Sequence, residues 1–325
     1  MIVNFVFFAK LLVQSSVFIY SLKIKQTNEL WRKLFMKPII ITDSNCDLSQ
    51  EYLEYNNIIS IPFRFQLNDK DYEDIFGQSI THQNFYHSLR LGDRATSTQI
   101  NPYRFEKVFS KYVALGYAII YIGFSSGLSD TYNSALLAKK AILERHKSAD
   151  ITVIDTKGAT SGQGLLVHTA CNMLKQGWTK QDIVHWIEKN KLNVNIWFTV
   201  DSLDHLKRGG RISPTSAALG SLIDVKPILM VNKNGKLVAV KKVRRRKKAI
   251  KTLAAEIKER IIEPHNQVVF INHGDCAEDA YLLKSIINEQ NNVKDVIVNF
   301  IGPVIGAHSG PGTLSAAFIG QPRDA

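Results

Sequence analysis

From residue 37 onward, short β-branched apolar runs alternate with amphipathic stretches, the pattern of parallel strands connected by helices. Ile39, Ile40 and Ile41 form the first buried strand, which ends in Thr42, Asp43 and Ser44, side chains that cap backbone donors where a strand turns. Later strands are predicted over Ile59–Phe65, Ala118–Gly123 and Ile151–Asp155, and helical spacing runs over residues 102–115, 131–146 and 163–176. Gly177 ends a helix, and Thr179 caps the next, which carries Ile183, Trp186 and Ile187 on one face. The second half changes character. Pro227–Val231 and Lys236–Val240 read as strands joined through Asn232, Lys233, Asn234 and Gly235, and an Asn-Gly between alternating apolar runs is a strong hairpin signal. The fold class expected is therefore α/β in two domains. An N-terminal parallel-sheet β/α domain covers residues 36–190, a C-terminal α/β domain with antiparallel strands covers 191–325, and a cleft between them suits a ligand.

The first 22 residues carry no charge except Lys10, which divides them into Met1–Ala9 and Leu11–Leu22; a basic polar stretch follows to Lys33. A membrane span needs about 18–20 uninterrupted apolar residues, and a signal peptide has its charge before the apolar region. Neither description fits. Residues 1–35 are taken as an extension outside the fold, with Met36 read as the start and a membrane anchor as the alternative.

Composition narrows the function. The 325 residues, 45% hydrophobic, suffice for two cores. Cys46, Cys171 and Cys276 lie far apart with no Cys-x-x-Cys pair, as expected in a reducing cytoplasm. The nine histidines show no metal-ligand spacing, so no metal is expected. The net charge of +12 is localised: residues 1–35 account for +4, and seven cations lie in the octapeptide Lys241–Lys248. The remainder is nearly neutral, unlike a nucleic-acid domain with a broad basic face.

Four segments could carry chemistry. Thr96, Ser97 and Thr98 are adjacent hydroxyls that either donate to an anion or cap the helix starting at Asn101-Pro102. Residues 123–131 follow a strand and precede a helix, and Ser125, Ser126 and Ser129 stand where open α/β sheets bind ligands. Residues 302–313 form a glycine-rich loop with no Lys for a phosphate, and His308 within it is either structural or functional. The fourth is basic. Gly209-Gly210 reads as a helix end beside Arg211, Ser213-Pro214 as the start of another helix, and in an extended strand Lys242, Arg244 and Arg246 share one side.

Taken in order, Lys37–Ser44, the Ser97-Thr98-Gln99 element, Ser125–Ala135, Arg208–Ile212 and Gly306–Gly312 resemble the DegV family over about residues 37–320. Members of that family are fatty-acid-binding proteins, and in many bacteria they are the lipid-carrying subunit of a fatty acid kinase. The resemblance implies a long-chain fatty acid as ligand, no cofactor and no catalysis by this chain. It implies an ATP-dependent kinase subunit as partner, acyl phosphate passed on to phospholipid synthesis through an acyltransferase, at most transient membrane contact and no nucleic acid. Carried over residue by residue, Ser97, Thr98, Ser126, Ser129 and His308 gather at the carboxylate, while Arg211 and Arg244 serve kinase docking or phosphate transfer. Two positions depart from the family pattern: Ser97 replaces a Thr, and Asp130 replaces a Gly beside the ligand's own charge. The rival readings are a small-molecule kinase or hydrolase using Ser129 and His308, and a nucleic-acid-binding protein using residues 241–248. The first lacks a nucleophile elbow and a Walker loop, and the second lacks aromatic residues among the charges.

Overall fold

The computed structural model describes residues 36–212 and 224–323. The expectations for residues 1–35 and for Ser213-Pro214 lie outside them. Three sheets organise the described residues. The first is fully parallel in the order β2-β1-β6-β7, built from β1 (Pro38–Asp43), β2 (Ile59–Ile61), β6 (Ala118–Gly123) and β7 (Ile151–Asp155). All six residues of β6 are buried, as a strand covered on both faces requires.

The second sheet has six strands in the order β10-β9-β8-β13-β11-β12. They are β8 (Val194–Thr199), β9 (Val225–Val231), β10 (Leu237–Arg244), β11 (Val268–His273), β12 (Asp295–Phe300) and β13 (Leu314–Ile319). Its pairings are antiparallel apart from β11 with β12. The predicted hairpin is β9–β10, and β10 is an edge strand defended by lysines and broken by a bulge between Ala239 and Lys241.

The third sheet, β4-β3-β5, was not anticipated by the sequence reading. It comprises β3 (Arg64–Leu67), β4 (Lys70–Glu73) and β5 (Ala95–Thr98), all antiparallel. The predicted strand Ile59–Phe65 is in fact two. Pro62, which has no N–H to donate, stands between β2 in the parallel sheet and β3 in the hairpin.

Ten α-helices are described. α1 (Gln50–Tyr55), α2 (His82–Arg90), α3 (Pro102–Ala114), α4 (Thr131–Arg145), α5 (Ser161–Lys175) and α6 (Lys180–Asn190) fall in the first part. α7 (Asp204–Arg208), α8 (Arg246–Arg260), α9 (Ala277–Asn291) and α10 (Pro303–Ser309) follow. α3 starts on Asn101, whose side chain accepts from Arg104 N–H, with Pro102 in the first turn. α5 touches β1 and β6 of the parallel sheet and β8, β11 and β13 of the mixed one, so a single buried helix joins the two. The apolar cluster around it runs from Ile40 and Ile120 through Leu166 to Phe270 and Ala317.

Two expectations about the basic and glycine-rich segments need correction. Arg246 does not share a strand face with Lys242 and Arg244: Arg245, at φ +70°, turns the chain, and Arg246 opens α8 with its guanidinium on Asp279 at 2.8 Å. The stretch 302–313 is not a loop throughout, because Pro303–Ser309 is helical with Gly302 as N-cap. Gly306 serves close packing inside α10, where a Cβ would come within 2.7 Å of the Tyr86 hydroxyl. Among the described residues no helix is long and apolar enough to cross a membrane.

Candidate functional site

The carboxyl ends of β1, β6 and β7 converge on one cavity, the expected location in a parallel sheet. It encloses about 1040 Å³ of space free of protein atoms, its mouth included. Phe63 and Phe124 line it on the N-terminal side, Ile196, Phe198, Val231 and Leu237 from the mixed sheet, and Val304 and Ile305 from α10. Polar side chains also line it: Ser97 and Gln99 from β5 and the residue following it, Ser129 and Asp130 before α4, Arg211 after α7, His308 and Ser309 at the end of α10, and Asn45, Thr160, Thr313 and Ser315 elsewhere in the wall.

The loops that shape this cavity are held from beneath. Asp43 is fully buried, and its Oδ2 accepts from the Tyr121 hydroxyl at 2.6 Å and from Phe124 N–H at 3.0 Å, fixing the turn that presents Phe124. Burial raises the Asp43 carboxyl above its ordinary range, against the lowering effect of these bonds. At the next crossing, Asp155 Oδ1 accepts from the N–H groups of Ser126 and Lys157 at 3.2 and 2.9 Å. The hairpin tip closes on the same loop: the Ser125 hydroxyl donates to Gly235 O at 2.9 Å. A Cβ on Gly127 would lie 2.5 Å from Asn234 O, so glycine is required there for close approach.

Within the cavity, Ser97 and His308, 211 positions apart, meet at 2.7 Å between Oγ and Nε2. His308 is held down to about pH 4 by burial, with Arg211 adding to the effect, so its imidazole is neutral near pH 7. Its Nδ1 is buried with no hydrogen-bond partner among the described residues. The tautomer with hydrogen on Nε2 leaves no buried donor without an acceptor. In that tautomer Nε2–H donates to Ser97, and the Ser97 hydroxyl proton is left to donate to a ligand. Arg211 is the one permanent cation lining the cavity among the described residues. Its Nε donates to Leu128 O at 3.2 Å and a terminal nitrogen to Gly209 O, which ties it to the loop after β6. Ser129 Oγ lies 2.9 Å from Thr131 Oγ1 and accepts from Thr131 N–H at 3.3 Å. Asp130, exposed at the rim, accepts from Asn133 at 3.4 Å.

Of the residues singled out from sequence, Ser97, Ser129, His308 and Arg211 therefore line one cavity. Thr98 does not. In β5 it faces away from Ser97 and is exposed, because side chains alternate along a strand. Ser126 is exposed beside the cavity wall, and its hydroxyl accepts from Lys157 Nζ at 2.7 Å. Arg244 ends β10, exposed and away from the cavity lining. The reading also passed over Asn45 and Thr160 as wall residues and included Ser309 only as part of the glycine-rich segment; the position of all three depends on how β1, α5 and α10 pack. Among the described residues no group of three His, Cys, Asp or Glu could hold a metal ion.

Residues 37–321 match the family model described as "Uncharacterised protein, DegV family". A DegV domain-containing protein of Clostridium perfringens is 44% identical over 288 residues, covering 89% of this chain and 99% of that protein. Among solved structures, a DegV lipid-binding protein from Thermotoga maritima superposes with a TM-score of 0.78 at 29% identity, covering 89% of this chain and 100% of its own. A DegV family protein from Thermus thermophilus, described for its fatty acid binding, gives a TM-score of 0.79 at 27% identity over 87% of this chain and 100% of its own. The chain belongs to the DegV family.

Proposed function

We propose that this protein carries one long-chain fatty acid, with the acyl chain in the apolar cavity and the carboxylate at Ser97, Ser129, His308 and Arg211, and that it presents that carboxylate to a partner fatty acid kinase in the cytoplasm. The observation that carries the reading is the Ser97–His308 pair beside a single arginine in a cavity whose accessible lining is mainly apolar. Burying a sixteen-carbon chain contributes on the order of 10 kcal/mol before entropy costs, which suits retention rather than turnover. A buried carboxylate without donors would cost several kcal/mol, and the hydroxyls and guanidinium supply them. The solved relatives from Thermotoga maritima and Thermus thermophilus, described as binding lipid and fatty acid, support the same ligand here.

A hydrolase or kinase centred on Ser129 and His308 is disfavoured by geometry. His308 bonds to Ser97 and not to Ser129, its Nδ1 has no carboxylate to orient it, and an imidazole held near pH 4 is a weak base at neutral pH. The test compares a fatty acid with the fatty alcohol of equal length on delipidated protein. The acid should bind at least about tenfold more tightly, the value of one charge-assisted hydrogen bond. Equal affinity would refute the carboxylate site.

A further inference from the structure

A second groove shares no lining residue with the cavity: Ile301 borders the cavity, while its neighbours Phe300 and Gly302 border the groove. The groove encloses about 1270 Å³ of space free of protein atoms, open solvent included. Val298, Asn299 and Phe300 of β12 all border it, and β12 pairs with β11 alone, which leaves its other edge without a strand. From α1 come Glu51 and Glu54, both exposed, and no Lys or Arg stands in the lining. In a chain of net charge +12 this is a local reversal of sign. Two imidazoles bordering the groove pack on the Phe300 ring, His82 with 4.9 Å between centroids and His273 with 4.4 Å. Burial holds both below their ordinary range, His82 at about 4, so both are neutral near pH 7. Cys276 N–H donates to His273 Nδ1 at 3.3 Å, so that ring carries its hydrogen on Nε2. His273 is 4% exposed, yet its Nε2 is not sealed from the groove and finds no acceptor among the described residues. Neither ring nitrogen of His82 is sealed or partnered among them.

An unpaired strand edge, a ring N–H without an acceptor and two carboxylates without a cation call for one ligand that brings backbone hydrogen bonds, a carbonyl and positive charge. An extended basic peptide has all three. We propose that this groove docks an extended segment of a partner protein bearing an Arg or Lys side chain, added to β12 as a further strand with its cation on Glu51 and Glu54. His273 Nε2–H then donates to a peptide carbonyl, and Tyr281, 61% exposed and also bordering the groove, packs on the stem of the cation. The surface is distinct from the cations of Lys241–Lys248, which follow from β10 at the opposite end of the same sheet and suit an acidic partner.

The test measures, by isothermal titration on the full chain, the binding of two capped heptapeptides, one alternating valine with arginine and one alternating valine with serine. Alternation suits a strand, whose successive side chains point to opposite faces. The arginine peptide should bind at least about tenfold more tightly, as one charge-assisted hydrogen bond provides. The double variant Glu51→Lys, Glu54→Lys, altered only at exposed positions, should lose that preference. N-methylating alternate amides of the arginine peptide should weaken binding roughly tenfold in the one of the two registers that faces β12. If the arginine peptide binds no better than the serine peptide, or if its preference survives charge reversal, the docking site is refuted. If the preference is lost on charge reversal but N-methylation has no effect in either register, the groove takes a cation without adding a strand, and the proposal is refuted in favour of a small organic cation. None of these results depends on the fatty acid reading, because the groove and the cavity share no residue.

Discussion

The imidazole of His308 packs directly on the backbone of Gly209, where any Cβ would overlap Nδ1. Gly209 has φ −74°, a value any residue adopts, so its glycine answers to His308 and not to the turn. Gly209→Ala should therefore displace the ring and weaken fatty acid binding about tenfold, the effect also expected of His308→Ala, without lowering the urea midpoint appreciably; isothermal titration on delipidated protein reads the first effect. Ser97→Ala removes the hydroxyl proposed to donate to the carboxylate and should weaken binding roughly ten- to a hundredfold for the acid, yet barely for the alcohol. A second residue-scale effect concerns pH. Asp74 is 2% exposed, and burial raises its carboxyl from 3.8 to about 7. Its Oδ2 would lie 3.0 Å from a Cβ on Gly302, whose N–H donates to Asp47. Folded protein thus keeps a proton that the unfolded chain has already released, so this residue's contribution to stability falls as pH rises from about 4 to about 7 and is constant above. His308 acts oppositely: its native value near 4 lies below 6.5, and stability is lost as pH falls through that interval. Asp74→Asn, which mimics the protonated acid, should gain stability relative to wild type between about pH 5 and pH 8, measured by urea unfolding at both values; a constant difference would contradict the buried-proton account. Ser97 and His308 were legible in the sequence as candidate donors. Their contact was not, because it depends on α10 packing against β5 across 211 positions. Asp74 gave no signal at all, since its burial comes wholly from tertiary packing.

The elements that periodicity specifies strongly were readable: the buried runs of β1, β6 and β7, the amphipathic helices α3, α4 and α6, and the Asn-Gly hairpin of β9 and β10. The reading failed where a single residue overrides the pattern. Pro62 divides the alternating stretch Ile59–Phe65 between two sheets, and Arg245 at positive φ ends the alternation of β10 just before Arg246. It failed again at α10, where glycines chosen for contact with Tyr86 and for the flanking turns gave the composition of a loop. What the hairpin does was also hidden, for nothing in its sequence says that its tip docks on the Ser125–Gly127 turn. That docking is testable. Gly127→Ala would drive a Cβ to 2.5 Å from Asn234 O and 2.7 Å from Gly235 O, so it should destabilise the fold by about 1–3 kcal/mol. It should also accelerate release of bound lipid, because Val231 and Leu237 of the hairpin line the cavity. Unchanged stability and release would mean that the hairpin tip is not part of the wall's support.

On the scale of the molecule, three sheets meet around one cavity, and a basic surface lies apart from it. Of the seven cations in Lys241–Lys248, Lys241 pairs with Glu256 and Arg246 with Asp279, while Lys242, Arg244, Arg245, Lys247 and Lys248 are exposed without an ion pair among the described residues. Unpaired cations concentrated on an otherwise near-neutral chain suit an acidic partner and steer its approach. Arg244→Glu should leave the retained lipid unchanged and abolish acyl-phosphate formation with a cognate kinase subunit; normal phosphorylation by the variant would remove Arg244 from the docking surface. The change from a parallel to a mixed sheet between Asp155 and Val194 was anticipated by the hydrophobic pattern, whereas the β4-β3-β5 sheet that supplies Ser97 was not, its strands being only four residues each. The carrier account is tested most directly by denaturing the purified protein and identifying by mass spectrometry the small molecules it releases: about one long-chain fatty acid per chain is predicted, and protein that releases none and takes up none when fatty acid is supplied would contradict it.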